Sequence, residues 1–158
     1  VPTGRDFTVV IDYAHTPDGL EKICGALREC KTGRLVTVFG CGGDRDKTKR
    51  PKMGKAAAAL SDFLVVTSDN PRSEDPQAII DDILAGLADS KTPYTVVANR
   101  VEAIRWAIHN AKSGDTILLA GKGHETYQVL RDGIVHLDER EVVAEALAQM
   151  APAASADE

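Results

Sequence analysis

The sequence predicts an α/β protein with a doubly wound, Rossmann-like, mostly parallel sheet and a C-terminal antiparallel hairpin. Short apolar runs alternate along the chain with stretches of helical periodicity. Polar loops follow several of these runs directly, as they do at the carboxyl ends of parallel strands. Near the end of the chain, two short strand-like segments flank Asp132-Gly133, a dipeptide typical of hairpin turns.

The predicted strands are brief apolar runs bounded by turn residues, a pattern typical of strands buried on both faces. The first five are expected to pair in parallel, and the last two are expected to form the antiparallel hairpin. The predicted strands span residues 7–11, 35–39, 63–66, 94–98, 116–120, 128–131 and 134–137.

Capping residues between the strands indicate where helices begin. Thr16 and Asp75 each precede a proline, which suits the cap and the first position of a helix. Asn99 and Asp138 each have a glutamate three residues later, as in a capping box. With a further helix expected from Pro51, the predicted helices begin near residues 17, 51, 76, 100 and 139.

Length and composition favour one globular domain. The 158 residues are 43% hydrophobic and 27% charged, close to the averages of folded proteins. We expect the domain to span residues 1–150 and the small, acidic stretch 151–158 to fray. The net charge of −5 leaves no basic field for nucleic acid. No apolar run approaches the roughly 20 residues of a membrane span, and the start does not resemble a signal peptide.

The three cysteines, Cys24, Cys30 and Cys41, are interpreted as reduced thiols at small core positions. Their odd number and irregular spacing fit a reducing compartment. Since no neighbouring Cys or His completes a ligand set, the sequence predicts no metal site.

Four polar loops, each following a predicted strand, carry the candidate chemistry. They span residues 12–17, 40–51, 68–72 and 121–125. Because ligands of open α/β sheets bind outside the carboxyl ends of the strands, we expect these side chains to meet above one edge of the sheet. The loops contain no legible Ser/His/Asp or Cys/His arrangement, so no catalytic residue is predicted.

The loop after the third predicted strand contains Asp69, Asn70, Pro71 and Arg72. An acid, an amide and a guanidinium, stiffened by a proline, suit a ligand with both a carboxylate and an ammonium group. Arginine in particular can hold a carboxylate with two parallel hydrogen bonds. The alternative is an ordinary loop whose charges are solvated.

The other loops also leave two interpretations open. Residues 40–51 match neither the phosphate-loop motif G-x-x-x-x-G-K-[ST] nor the dinucleotide-binding motif G-x-G-x-x-G. Their glycines would let a ligand approach the backbone near Arg45. The alternative is a solvated basic loop. His15 could hydrogen-bond a nucleotide or phosphate near the start of a helix, or could simply pack. Asp12 could satisfy local backbone donors. Glu125 could pair with a ligand ammonium.

Taken together, the four loops resemble motifs of the C-terminal domain of Mur ligases, the cytoplasmic ATP-dependent enzymes that build the peptide of bacterial cell walls. Residues 12–17 are similar to D-Y-A-H-x-P, and residues 40–51 to GCGGDRDxxKRP. Residues 121–125 match GKGHE, and residues 69–72 match D-N-P-R, which marks the members specific for meso-diaminopimelate. The resemblance covers residues 7–149.

The resemblance implies roles for individual residues. Arg45, Asn70 and Arg72 would hold a carboxylate, whereas the Gly121 carbonyl and Glu125 would take the distal ammonium. The residues assigned in this way to diaminopimelate are Arg45, Asp69, Asn70, Pro71, Arg72, Gly121 and Glu125. The residues expected to border the nucleotide are Asp12, Tyr13 and His15.

The resemblance also implies that the full enzyme uses ATP and Mg²⁺, with the magnesium ligands outside this chain. ATP would convert a glutamate carboxyl into an acyl phosphate, which the amine of diaminopimelate would attack. The acceptor, a UDP-N-acetylmuramoyl-dipeptide, would bind to other domains. A cytoplasmic monomer that binds neither nucleic acid nor membrane is expected, and this domain alone should be inactive.

Two alternatives remain open at this point. The chain could be the same domain of a lysine-adding or another Mur-type ligase, although lysine lacks the distal carboxylate that Arg72 would bind. It could also be a stand-alone binding module with a Rossmann-like fold.

Overall fold

A computed structural model describes residues 3–30 and 32–150, so the tail expected to fray at 151–158 lies outside the described residues. The strands are β1 (Thr8–Asp12), β2 (Leu35–Phe39), β3 (Phe63–Val66), β4 (Tyr94–Val96), β5 (Thr116–Ala120), β6 (Tyr127–Leu130) and β7 (Gly133–His136). The helices are α1 (Pro17–Cys30), α2 (Lys49–Leu60), α3 (Pro76–Ala85), α4 (Arg100–His109) and α5 (Glu139–Ala148).

Within the described ranges, five strands form a parallel sheet in the order β1-β5-β2-β3-β4. β5 therefore lies between β1 and β2, and Leu118 of β5 is in register with Val10 of β1 and Thr37 of β2. Strands β6 and β7 pair antiparallel, as expected, but they form a small sheet of their own and do not extend the main one. The predicted doubly wound α/β class is confirmed.

Helices cover both faces of the main sheet, which explains why its central strands are almost entirely apolar, with only Thr37 and Thr116 as polar residues. Side chains of β5 alternate between two cores: Leu118 packs with α1, α2 and α3, whereas Ile117 packs with α4 and α5. Every residue of β2 and β5 is buried. With both faces covered, a ligand can approach the sheet through the loops at the carboxyl ends of its strands.

The predicted caps are found where the sequence indicated them. The carboxylate or amide oxygens of Asp75, Asn99 and Asp138 accept backbone N–H bonds at the starts of α3, α4 and α5. Helix α2 differs, because it begins at Lys49 and places Pro51 in its first turn, where no N–H is needed. No helix in the described part of the chain combines the length and the apolar character needed to cross a bilayer.

The cysteines do not share one environment. Cys24 is fully buried in the core, and Cys41 is half-buried in a loop that lines a cavity. The core position expected for Cys30 is wrong: it is exposed, because it is the last residue of α1 and lies past the stripe that packs on the sheet.

Candidate ligand-binding site

A cavity of about 500 Å³ lies at the carboxyl ends of the parallel strands. The loops after β1, β2, β3 and β5 all contribute to its wall, so the four polar loops meet as expected. Of the residues assigned from the sequence, those that line it are Tyr13, His15, Arg45, Asp69, Asn70, Arg72, Gly121 and Glu125.

Asp12 and Pro71 do not line this cavity. The Asp12 carboxylate accepts a hydrogen bond of 2.9 Å from the backbone N–H of Ala14, so it shapes the turn after β1. Asp12 also lines a second, more open cavity of about 440 Å³ together with His124. Pro71 is buried, and its carbonyl accepts a hydrogen bond of 3.0 Å from Glu74. Its contribution is therefore to the backbone of the loop.

Tyr13 and His15 form an aromatic corner between the two cavities. Their ring centroids are 4.9 Å apart in an edge-to-face arrangement, and the Tyr13 side chain is half-exposed. The imidazole of His15 lies 3.0 Å from the Tyr13 carbonyl, which fixes its orientation. Exposed aromatic faces of this kind suit a planar base.

The glycine-rich loop after β2 is docked onto the loop after β3. The backbone N–H of Gly43 donates to the Asn70 carbonyl at 2.8 Å. A Cβ atom at Gly43 would lie 1.8 Å from the carbonyl oxygen of Pro71, so the approach requires glycine. Arg72 completes the contact from the other side, because its Nη1 donates to the Gly43 carbonyl at 2.9 Å. The two loops therefore act as one unit.

Arg72 itself has an unusual backbone. Its φ is +53°, in the left-handed region that side chains other than glycine rarely adopt. The backbone N–H of Arg72 donates to the Val129 carbonyl at 3.1 Å, which ties this conformation to β6. The hairpin thus supports the loop that carries the guanidinium, although it does not belong to the main sheet.

The basic stretch at residues 45–52 is solvated only in part. Arg45 is exposed at the rim of the cavity, and its Nη1 donates to the Asp44 carbonyl. Arg50, in contrast, is 1% exposed and pairs with Glu74 and Asp82. Its Nη2 also donates to the Gly42 carbonyl at 3.1 Å. The alternative of a solvated basic loop is therefore wrong at Arg50, which anchors the glycine-rich loop.

The ion pair with Arg50 changes the titration of Glu74. Hydrogen bonds from the Arg50 guanidinium, assisted by the backbone N–H of Asp44, lower the pKa of Glu74 to about 2. Glu74 is thus a carboxylate throughout the physiological range, and it joins the segment after Arg72 to the glycine-rich loop.

Lys122, for which the sequence predicts no role, is a buried lysine that contacts residues lining the cavity. Its side chain is fully buried, and its Nζ donates to Asn70 Oδ1 at 2.8 Å and to the Tyr127 carbonyl at 3.0 Å. It lies between Gly121 and Gly123, which both have positive φ values. A lysine between two glycines, directly after a buried strand, is the sequence signal that could have identified it.

Arg100 was also missed, and it braces the strands beneath the site. Its guanidinium donates to the Ser68 carbonyl at 3.0 Å and to the Ala120 carbonyl at 2.9 Å. Its Nε lies 2.6 Å from Glu139 in a fully buried ion pair. Arg100 therefore connects the ends of β3 and β5 from which two of the site loops depart.

The cavity divides its charges between two sides. Arg45 and Arg72 belong to the glycine-rich side, where the lining also includes Asp46, Lys49 and Arg50, whereas Asp69 and Glu125 lie near the buried Lys122. This arrangement of charges is suited to holding a ligand with groups of both charges.

Cys41, which also lines the cavity, is a poor nucleophile. Burial, the largest of several influences, raises the pKa of its thiol to about 12, so this sulfur stays protonated.

Comparison with known proteins identifies the family of the chain. The family model described as "Mur ligase, glutamate ligase domain" matches residues 1–123. The chain is 56% identical over 149 residues to the UDP-N-acetylmuramoyl-L-alanyl-D-glutamate–2,6-diaminopimelate ligase of Caldanaerobacter subterraneus, covering 94% of this chain and 31% of that protein. It is 57% identical over 148 residues to the ligase of the same name from Syntrophomonas wolfei, covering 93% and 30%.

Solved structures show the same relationship. A structure of a ligase with this name matches with a TM-score of 0.85 at 39% identity, over 90% of this chain and 29% of that one. A murein peptide ligase from Psychrobacter arcticus shares the fold, with a TM-score of 0.67 at 16% identity over 96% of this chain and 29% of that one. The chain spans about a third of the length of the curated relatives it matches. On the family match, the identities and the shared fold, the chain belongs to the Mur ligase family.

Proposed function

We propose that residues 1–150 form the C-terminal, amino-acid-binding domain of an ATP-dependent ligase. This ligase adds meso-2,6-diaminopimelate to UDP-N-acetylmuramoyl-L-alanyl-D-glutamate during peptidoglycan synthesis in the cytoplasm. One observation carries the proposal: a guanidinium and an amide, from Arg72 and Asn70, share a cavity with the Glu125 carboxylate. The distal end of diaminopimelate carries the complementary pair, a carboxylate and an ammonium. The names of the two curated relatives support the same substrate.

The carboxylate is assigned to the side of the cavity that carries Arg45, Asn70 and Arg72. The Arg72 guanidinium uses Nη1 to bind backbone carbonyls, chiefly that of Gly43, which leaves other N–H groups for the ligand. Arg45 is exposed at the rim and can swing toward a bound anion. A guanidinium matches a carboxylate with two parallel bonds, so this side distinguishes diaminopimelate from lysine.

The distal ammonium is assigned to the Gly121 carbonyl and Glu125. Gly121 has a φ of +119°, and this backbone brings it to the wall of the cavity beside Asp69. Asp69 is nine-tenths buried and shapes the floor of the site. A carboxylate and a carbonyl oxygen together provide the acceptors that an ammonium group needs.

ATP is assigned to the border formed by Asp12, Tyr13 and His15. The aromatic corner suits the base, and the turn after β1 leads directly into the start of α1. In the described ranges no three His, Cys, Asp or Glu side chains are grouped to hold a metal ion, and we assign the Mg²⁺ ligands to other parts of the enzyme. This chain contributes positioning: it holds the amine where it can attack the acyl phosphate.

Two other functions fit this cavity less well. In a lysine-adding ligase the Arg72 guanidinium would lack its carboxylate partner, which is costly for a desolvated cation. A stand-alone binding module would bind the amino acid without any ATP-dependent step. We also propose that the UDP-N-acetylmuramoyl-dipeptide is the acceptor substrate and that the enzyme is a monomer. It is expected to bind neither nucleic acid nor membrane.

Steady-state release of ADP tests the proposed function. The full-length ligase, given ATP, Mg²⁺ and the UDP-linked dipeptide, should release ADP with meso-diaminopimelate and far more slowly with L-lysine. The purified 158-residue chain should release none, because its sequence has no G-x-x-x-x-G-K-[ST] phosphate loop. A preference for lysine, or ligation by the chain alone, would contradict the proposal.

A further inference from the structure

The buried ammonium of Lys122 lies at the junction of both ligand-facing sides of the cavity. Its Nζ donates to Asn70 Oδ1 at 2.8 Å and to the Tyr127 carbonyl at 3.0 Å. The same atom lies 3.3 Å from Asp69 Oδ1 and 3.6 Å from Glu125 Oε1. A fully buried lysine is rare unless it is paired, so these contacts are what keep the charge in place.

The contact with Asn70 determines which end of its amide is available to a ligand. Asn70 Oδ1 accepts from Lys122 and also from the backbone N–H of Val129 at 3.0 Å. Neither an ammonium nor a backbone N–H can accept a hydrogen bond. A flipped amide would place its NH₂ group against both donors. The oxygen is therefore fixed toward the protein, and the donating nitrogen is the end that Asn70 offers to the cavity it lines.

We propose that Lys122 is a positioning residue that sets the polarity of the carboxylate subsite through Asn70. Together with the backbone N–H of Val129, it holds the amide oxygen and leaves a donor for the ligand, which suits a carboxylate and disfavours an ammonium. The inference rests on the proposed function, because it concerns how that site chooses diaminopimelate over lysine.

The charge of Lys122 acts in the same direction. In the described part of the chain, Asp69 Oδ1 is buried without a hydrogen-bond donor, and the nearby ammonium compensates its charge. Without Lys122, Asp69 and Glu125 would make the cavity more anionic. An entering carboxylate would then be repelled, whereas the ammonium of lysine would not.

Kinetics of Lys122→Met in the full-length ligase test this role. We expect the KM for meso-diaminopimelate to rise about tenfold or more, as for the loss of one charge-assisted contact, with a smaller change in kcat. The KM for L-lysine should stay constant or fall. Lys91→Met, at an exposed lysine on the loop before β4, is the matched control and should change neither.

A second variant keeps the test decisive if Lys122→Met fails to fold. Asn70→Asp preserves an acceptor for both Lys122 and Val129 but replaces the donating nitrogen with an oxygen. It should fold normally, and its KM should rise for meso-diaminopimelate but not for L-lysine.

The inference is overturned if Lys122→Met raises both KM values equally or Asn70→Asp binds diaminopimelate like the wild type. A wild-type enzyme that does not discriminate between the two amino acids would instead refute the proposed function.

Discussion

Arg50 and Glu74 form a two-pronged ion pair, in which Nη2 lies 2.7 Å from Oε2 and Nη1 lies 3.1 Å from Oε1. Arg50 is in the first turn of α2, just after the glycine-rich loop, and Glu74 lies two residues after Arg72. Glu74 also accepts from the backbone N–H of Asp44. The pair therefore fixes the relative position of the two loops that carry Arg45 and Arg72 to the cavity.

Glu74→Gln should make stability less dependent on pH. In the folded chain the Arg50 guanidinium lowers the pKa of Glu74 to about 2, whereas the pKa of an unfolded Glu is about 4.3. The depressed pKa contributes stability that is present above about pH 4.3 and is lost as pH falls toward the folded pKa. The variant should be less stable than the wild type at pH 7, and the difference should narrow below about pH 4.3. Urea unfolding at pH 7, 5, 4 and 3 measures this.

A matched control for this experiment is Glu21→Gln, at an exposed position of α1. It should leave the pH dependence close to that of the wild type. Parallel pH profiles of Glu74→Gln and the wild type would show that the ion pair does not stabilise the fold.

Gly43→Ala should disrupt the docking of the two loops. Its Cβ would lie 1.8 Å from the Pro71 carbonyl oxygen, and backbone on both sides of the contact would have to move. We expect a loss of about 1–3 kcal/mol in the free energy of unfolding, as for other overpacked sites. Urea unfolding of the variant and the wild type measures this loss.

Gly25→Ala is the control for this substitution, because a Cβ at Gly25 in α1 meets nothing within 4 Å. It should increase stability by about 0.5–1 kcal/mol, the usual gain for Gly to Ala within a helix. Equal effects of the two variants would mean that Gly43 does not contact Pro71 as described.

Arg100→Met should be strongly destabilising. It removes donors from the Ser68 and Ala120 carbonyls and leaves the Glu139 carboxylate buried without its cation. Breaking a buried pair in this way typically costs about 3–5 kcal/mol. The double variant Arg100→Met/Glu139→Leu should recover part of the loss, because it removes the unpaired charge. Urea unfolding of the single and double variants measures the coupling, and strictly additive losses would contradict it.

The elements and the place of the site could be predicted because their signals are local. The caps at Asp75, Asn99 and Asp138 are each read from a few neighbouring residues. The convergence of the four loops follows from parallel pairing alone, since it brings the carboxyl ends of strands to one edge. The order of the strands has no comparable local signal, because β5 inserts between β1 and β2 through tertiary packing.

Three buried cations in the described part of the chain have much weaker signals in the sequence. Lysine and arginine are almost always exposed, so nothing in the immediate sequence of Arg50 or Arg100 indicates burial, and at Lys122 only the two flanking glycines after a buried strand do. Their partners are distant: Asn70 is 52 residues from Lys122, and Glu139 is 39 residues from Arg100. Sequence reasoning therefore found the residues expected to face the ligand, but not those that hold them.

Arg72→Ala should change the choice of amino acid in the full-length ligase. Its guanidinium lines the cavity, and it is the group best suited to the carboxylate that lysine lacks. We expect the KM for meso-diaminopimelate to rise at least about tenfold, equivalent to about 1.4 kcal/mol. The KM for L-lysine should change little or fall. Arg72→Lys should restore only part of the affinity, because an ammonium keeps the charge but cannot donate two parallel hydrogen bonds to a carboxylate. Steady-state kinetics with both amino acids at saturating ATP measure this.

The comparison with lysine separates recognition from structure at Arg72. The guanidinium also donates to the Gly43 carbonyl, so its loss could loosen the glycine-rich loop and slow the reaction with either amino acid. Alanine keeps the Cβ atom, so the backbone strain at a φ of +53° is the same in both proteins. Arg28→Ala, at an arginine on α1 away from the cavity, should change the KM for neither amino acid. If Arg72→Ala raises both KM values equally, the arginine supports the loops and does not select the substrate.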